Sequence, residues 1–266
     1  MTRALGLTAA VALLLLLAPA PATARTITMS GASPTGAVVA DLAYFYRHEA
    51  RRPPRFSIVG GSSGTAIADV ARGVVDAGLT TRPLQPGDPP GLRFTPLGLS
   101  AICLVTNVAN PVPNFTRAQV QDLVAGRIAT WSQIPGSPLA LALDPASPET
   151  TAGAYTVFVS TFVDLNTPLA YRPRTLLTTA QLRDYVQASP GAWSFVDLAF
   201  VRGVHAVPFE GVPCNRATVV SGAYPARTAL GLVTRGRPRG ALARFLRWIA
   251  RDATARRVIR TRYIPV

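Results

Sequence analysis

The sequence predicts an α/β protein. Two observations carry that class: a strand–turn–helix unit occurs twice near the start of the chain, and short apolar runs then alternate with stretches of helical periodicity. Composition agrees, since 48% hydrophobic and 15% charged residues describe a folded globule and exclude a disordered chain.

The first unit is a short strand, Thr26-Ile27-Thr28-Met29, then the turn Ser30-Gly31-Ala32-Ser33-Pro34-Thr35-Gly36, then a helix over 37–47. Ser33 is the expected N-cap, with Pro34 at the first helical position. The second unit reads as a buried strand over 56–59, the turn Gly60-Gly61-Ser62-Ser63-Gly64-Thr65, and a helix with Ile67, Val70, Ala71 and Val74 on one face. Such turns leave backbone N–H groups and hydroxyls at a helix N-terminus, where an oxyanion is stabilised. One alone is also an ordinary serine-capped connection. Two at the same end of one sheet can converge on a single small anion.

Further along, 74–80 reads as a third strand, ended by Thr81-Arg82-Pro83, and 94–97 and 99–107 as apolar strands. Thr116 is the expected cap of a helix whose apolar face is Val120, Leu123 and Val124, with Gly126 as its stop. A strand at 139–143, helices at 150–163 and 179–186, a strand at 204–209 and an alternating strand ending at Val233 follow. One amphipathic helix over 240–259 closes the chain.

The N-terminus carries its own signal. Met1-Thr2-Arg3, an apolar run over 4–18 and an Ala22-Thr23-Ala24 site describe a secretory leader over 1–24, cleaved after Ala24. The run is shorter than the ~20 residues of a membrane span. No cysteine stands at the cleavage site, so a lipid anchor is not indicated, and no later segment is apolar enough to span a bilayer. The expected product is a soluble exported protein.

The formal charge is +14, and every basic residue is arginine. The arginines are spread along the chain and cluster only near its end, without the interleaved aromatics of a nucleic-acid surface. A solvated basic face is the plain reading, and no nucleic-acid partner is expected; such a face still concentrates small anions. The two cysteines, Cys103 and Cys214, admit one intramolecular pairing, which export permits and sequence geometry leaves open. His48 and His205 lie far apart without a carboxylate cluster, so neither a metal nor a cofactor is expected. Ser63 lacks the Gly-x-Ser-x-Gly elbow of a hydrolase, and a non-enzyme is the expectation.

The order Ser30-Gly31-Ala32-Ser33, then Gly60-Gly61-Ser62-Ser63-Gly64-Thr65, then Asp76-Ala77-Gly78-Leu79-Thr80-Thr81-Arg82 resembles the phosphate-binding proteins of ABC importers. So do the helix ending in Gly126 before Thr130-Trp131, the segment Pro190-Gly191-Ala192-Trp193-Ser194-Phe195-Val196, and Gly222 with Tyr224-Pro225 before a strand. The resemblance covers nearly the whole processed chain. It implies a two-lobed type II periplasmic binding protein, each lobe a mixed sheet flanked by helices, with the ligand cleft between them. Lobe 1 would comprise 25–107 plus 208–266, and lobe 2 would comprise 108–207, which places both cysteines in one lobe. The implied protein is a periplasmic monomer that captures phosphate or a similar small oxyanion for a membrane ABC permease.

Carried over position by position, the resemblance assigns ligand contacts to Ser33, Thr35, Ser62, Ser63, Gly64, Thr65, Thr81, Arg82, Ser147 and Thr150, with the Pro34 backbone beside them. Two departures stand out. Some relatives have an aspartate where this chain has Thr81. An arginine expected shortly before the second-lobe helix is missing from Leu143-Asp144-Pro145-Ala146-Ser147-Pro148-Glu149-Thr150-Thr151-Ala152-Gly153, and Glu149 is expected in that helix's first turn. Loss of a bidentate arginine contact costs about 1.5–3 kcal/mol. The alternative is therefore a relative with a degenerate anion site, acting as a sensor, scaffold or protein-interaction module.

Overall fold

The computed structural model describes residues 25–163 and 167–266. The expected leader over 1–24 lies outside them. The first half of the molecule is built from β1 (Thr26–Ala32), α1 (Ser33–Glu49), β2 (Arg55–Gly61), α2 (Ser63–Arg72), β3 (Ala77–Thr80) and the long β4 (Leu92–Thr106). The second half follows with α3 (Arg117–Val124), β5 (Asp144–Ser147), α4 (Gly153–Phe162), β6 (Arg174–Thr175), α5 (Thr179–Ala188), β7 (Ala192–Asp197) and β8 (His205–Ala206). The chain then passes α6 (Arg216–Ser221) and returns through β9 (Arg227–Arg235), α7 (Gly240–Arg251), α8 (Ala253–Arg260) and β10 (Ile264–Pro265).

The strands run in the order β2-β1-β3-β9-β4-β7-β5-β6. β1 pairs in parallel with β2 and β3, as βα units require, and β9 enters antiparallel between β3 and β4. β4 belongs to both halves: Leu92 to Ala101 pairs with β9, and Ile102 to Thr106 pairs with β7. Two cores result. One gathers Ile27, Met29, Leu42, Leu79, Leu232 and Phe245; the other gathers Val105, Phe115, Trp131, Phe158, Phe195 and Tyr224. Packing departs from the expected lobe bounds. Residues 101–105, Cys214, Val219 and Tyr224, all assigned to lobe 1 by sequence, sit in the second core. There Cys103 and Cys214 are bonded, with their Cα atoms 5.7 Å apart.

Several elements differ from the sequence reading for local reasons. β2 is the edge strand, so only Phe56 and Ile58 turn toward the core while Val59 is exposed. The strands read at 94–97 and 99–107 are one strand with an irregularity between Pro96 and Gly98. Residues 139–143 form no strand, and the pairing strand is β5 just beyond them. The strand read at 204–209 shrinks to β8, and α6 was not foreseen. The closing helix breaks in two because Asp252 is extended and its Oδ1 accepts the Thr254 N–H at 2.7 Å, starting α8 anew.

Candidate functional site

The C-terminal ends of β1 and β3 and the starts of α1, α2, α4 and α5 meet where the two halves touch. A cavity of about 40 Å3 lies there, lined by Ser33, Pro34, Ser63 and Thr81 from the first half. Gly153, Ala154, Thr178, Thr179 and Asp197 line it from the other side. That volume is room for roughly three waters.

Which helix heads are open decides what the cavity can hold. The first N–H groups of a helix need an outside acceptor. At α2, Ser62 and Thr65 form a reciprocal capping box, and Thr178 and Gln181 do the same for α5. At α1 and α4 no side chain caps the helix and no acid stands in the first turn. Those two uncapped heads come from opposite halves and both line the cavity. Ser33 is therefore not the N-cap expected from sequence: it opens the helix at its first position, and its Oγ accepts the Thr179 N–H at 3.4 Å across the gap. Ser63 Oγ accepts the Thr81 N–H at 3.1 Å and lies 3.4 Å from Thr81 Oγ1.

Ser33, Ser63 and Thr81 are the sequence-nominated residues that line the cavity. The others do not line it. Thr35 Oγ1 donates to the Thr80 carbonyl at 2.8 Å, and Ser62 and Thr65 bond each other. Arg82 is tied to Asp88 by two hydrogen bonds of 2.7 and 2.9 Å, which hold the Asp88 carboxyl below its usual range. It is not available as a substitute for the missing arginine. Ser147 donates to the Pro148 carbonyl at 2.9 Å, and Thr150 is exposed, outside the cavity. Glu149 is not in the first turn of α4, because that helix begins only at Gly153. Asp144 sits on β5, where the Tyr185 and Ser189 hydroxyls donate to it.

Three residues at the site escaped sequence reasoning. Thr151 reaches across the gap: its carbonyl accepts the Gly64 N–H at 2.9 Å, and its Oγ1 accepts from Ser62 Oγ at 2.9 Å. Gly153 presses its backbone against the first half so closely that a Cβ there would stand 2.5 Å from Ser63 Oγ and Thr81 Oγ1. Asp197, at the end of β7, is 1% exposed. Its Oδ1 accepts the Ala199 N–H at 2.9 Å, and its Oδ2 has no partner. Burial pushes its carboxyl up to about 6, against the pull of that N–H. The only local hint was an acidic residue closing an otherwise apolar strand.

Among the described residues no cluster of three or more His, Cys, Asp or Glu side chains could hold a metal ion. None of the described helices is long and apolar enough to cross a membrane.

A family profile described as the PBP superfamily domain matches residues 18–253. This chain belongs to the PBP superfamily. A solved structure from Clostridium perfringens, described as a phosphate ABC transporter substrate-binding protein with bound phosphate, aligns over 91% of this chain and 100% of its own at 20% identity and a TM-score of 0.83. An ABC-type phosphate transport receptor from Vibrio cholerae aligns over 90% of this chain and 100% of its own, at 21% identity and a TM-score of 0.70. These likenesses establish the two-lobed α/β fold. In sequence, the phosphate-binding protein PstS 2 of Streptococcus pneumoniae is 24% identical over 108 residues, which is 41% of this chain and 37% of that protein.

Proposed function

We propose that this PBP superfamily member is an exported, non-catalytic solute-binding protein that captures phosphate or a similar small oxyanion in the periplasm and passes it to an ABC permease. The observation that carries the reading is the pair of uncapped helix heads, α1 and α4, facing one another across a cavity lined with the hydroxyls of Ser33, Ser63 and Thr81. Backbone N–H groups and hydroxyls hold a partly protonated oxyanion without a formal positive charge. The two cores are the lobes that would open and close on it, and the protein would act as a monomer.

A second reading draws on different observations. Thr151 already occupies the head of α2, Asp197 places a carboxyl at the cavity, and no arginine lines it. On that reading the site is degenerate and the protein serves as a sensor or a partner-binding scaffold. Titration calorimetry with inorganic phosphate separates the two. Saturable heat that is lost in Ser63→Ala supports capture; no heat at millimolar phosphate in the unmodified protein supports the second reading.

A further inference from the structure

Away from the cleft, the first lobe ends in a pole where β1 and β2 begin, β9 ends and α7 starts. Arg25 and Arg55 stand at the two strand starts, joined by the Arg55 N–H donating to the Arg25 carbonyl at 3.2 Å. Arg51 and Arg52 follow the end of α1, and with Arg244 of α7 they border a hollow of about 700 Å3. The end of β9 adds Arg235 and the turn to α7 adds Arg237 and Arg239, which with Arg25 border a second hollow of about 490 Å3. All eight arginines are exposed. Among the described residues, Asp76 is the only carboxylate lining either hollow; Thr28 bonds it through N–H and hydroxyl, and Arg25 pairs with it at 3.5 Å, which leaves the other seven arginines without a carboxylate in the two hollows. Glu49 nearby accepts from Trp248 Nε1. Here too a helix starts uncapped: α7 has no side-chain cap and no acid in its first turn.

The geometry points to this pole as a docking face for the anionic phospholipid surface of a bilayer. The ground is charge complementarity, because clustered arginines gain from phosphodiester headgroups both by Coulomb attraction and by paired N–H donation. Exposure of every arginine argues against a tight pocket for one small molecule and for a broad, reversible electrostatic contact. The inference does not depend on what the cleft holds.

The test is co-sedimentation of the processed, exported protein with vesicles of phosphatidylcholine alone and of phosphatidylcholine mixed with phosphatidylglycerol, at low and high salt. Binding is expected only to the mixed vesicles and only at low salt. Replacing Arg235, Arg237 and Arg239 together by alanine should weaken it on the order of a hundredfold, at roughly fivefold per arginine. Replacing all three by lysine should restore most of the binding. The same change to alanine at Arg172, Arg174 and Arg202, exposed in the other lobe, should leave it unaltered. Equal binding to neutral vesicles, or equal loss in both alanine triples, overturns the proposal. So does calorimetric binding of tripolyphosphate without any vesicle binding, which would assign the pole to a soluble polyanion.

Discussion

Gly64 of the first lobe donates its amide hydrogen to the carbonyl of Thr151 in the second, at 2.9 Å, and Ser62 adds a hydroxyl contact to the same residue. The chain thus supplies its own acceptor at the head of α2 and links the two lobes directly. Thr151→Val keeps the carbonyl and deletes the hydroxyl. A lost hydrogen bond of this kind is worth about 1 kcal/mol, which moves the balance toward the open form roughly fivefold. Small-angle scattering of the anion-free protein should then show a larger mean radius of gyration. An unchanged radius would mean that this contact does not govern closure.

Gly153 offers a sharper version of the same question. A methyl group there would meet Ser63 Oγ and Thr81 Oγ1 at 2.5 Å, well inside contact distance. Gly153→Ala should hold the lobes apart with little effect on either core. The expected result is a raised radius of gyration with a near-wild-type melting temperature. If calorimetry detects phosphate in the parent protein, the variant should lose most of that heat.

Asp197 makes stability depend on pH in an unusual direction. Its carboxyl is raised from 3.8 to about 6 by burial, so between those values the folded protein holds a proton that the unfolded chain releases. Folding stability from this group therefore falls as pH rises through that window, and the penalty persists above it. Its size is about 3 kcal/mol. Asp197→Asn removes the charge and nearly keeps the shape. Denaturant midpoints of variant and parent should agree near pH 4 and separate in favour of the variant by pH 7. Parallel curves across that range would show that Asp197 is not the buried acid described.

The Cys103–Cys214 bond spans a sequence separation of 111 residues within the second core. Closing a loop of that size limits the unfolded chain by about 4–5 kcal/mol. Replacing both cysteines by alanine should lower the melting temperature by roughly 10 °C or more, at 2–4 °C per kcal/mol for a chain of this size. A shift of only a degree or two would mean that packing around Phe209 and Tyr224 carries the core without the bridge.

Much of the fold was legible because local signals and tertiary needs coincided. The capping box of Ser62 with Thr65 and the box of Thr116 with Gln119 fall where sequence placed helix starts. Reading failed where a remote partner decided the outcome. Phe56 to Val59 has the apolarity of a buried strand, yet nothing local says that β2 takes the sheet's edge. Apolar periodicity runs across Asp252, so a single short cap that divides α7 from α8 was outvoted. At the site, hydroxyls in turns were recognisable as candidates, but their availability was not. Arg82 is consumed by Asp88 six residues on, and Thr151 meets Gly64 from 87 positions away. Asp197 gained its character from desolvation by elements far off in sequence, and the acid at the end of β7 is only a faint local sign of it.

One consequence of β4 concerns how the molecule comes apart. Because this strand supplies backbone pairing to both cores in succession, neither lobe can lose its share of it without fraying the other. Heating should accordingly produce a single cooperative transition, and protease nicks in connecting loops should leave no long-lived half-molecule.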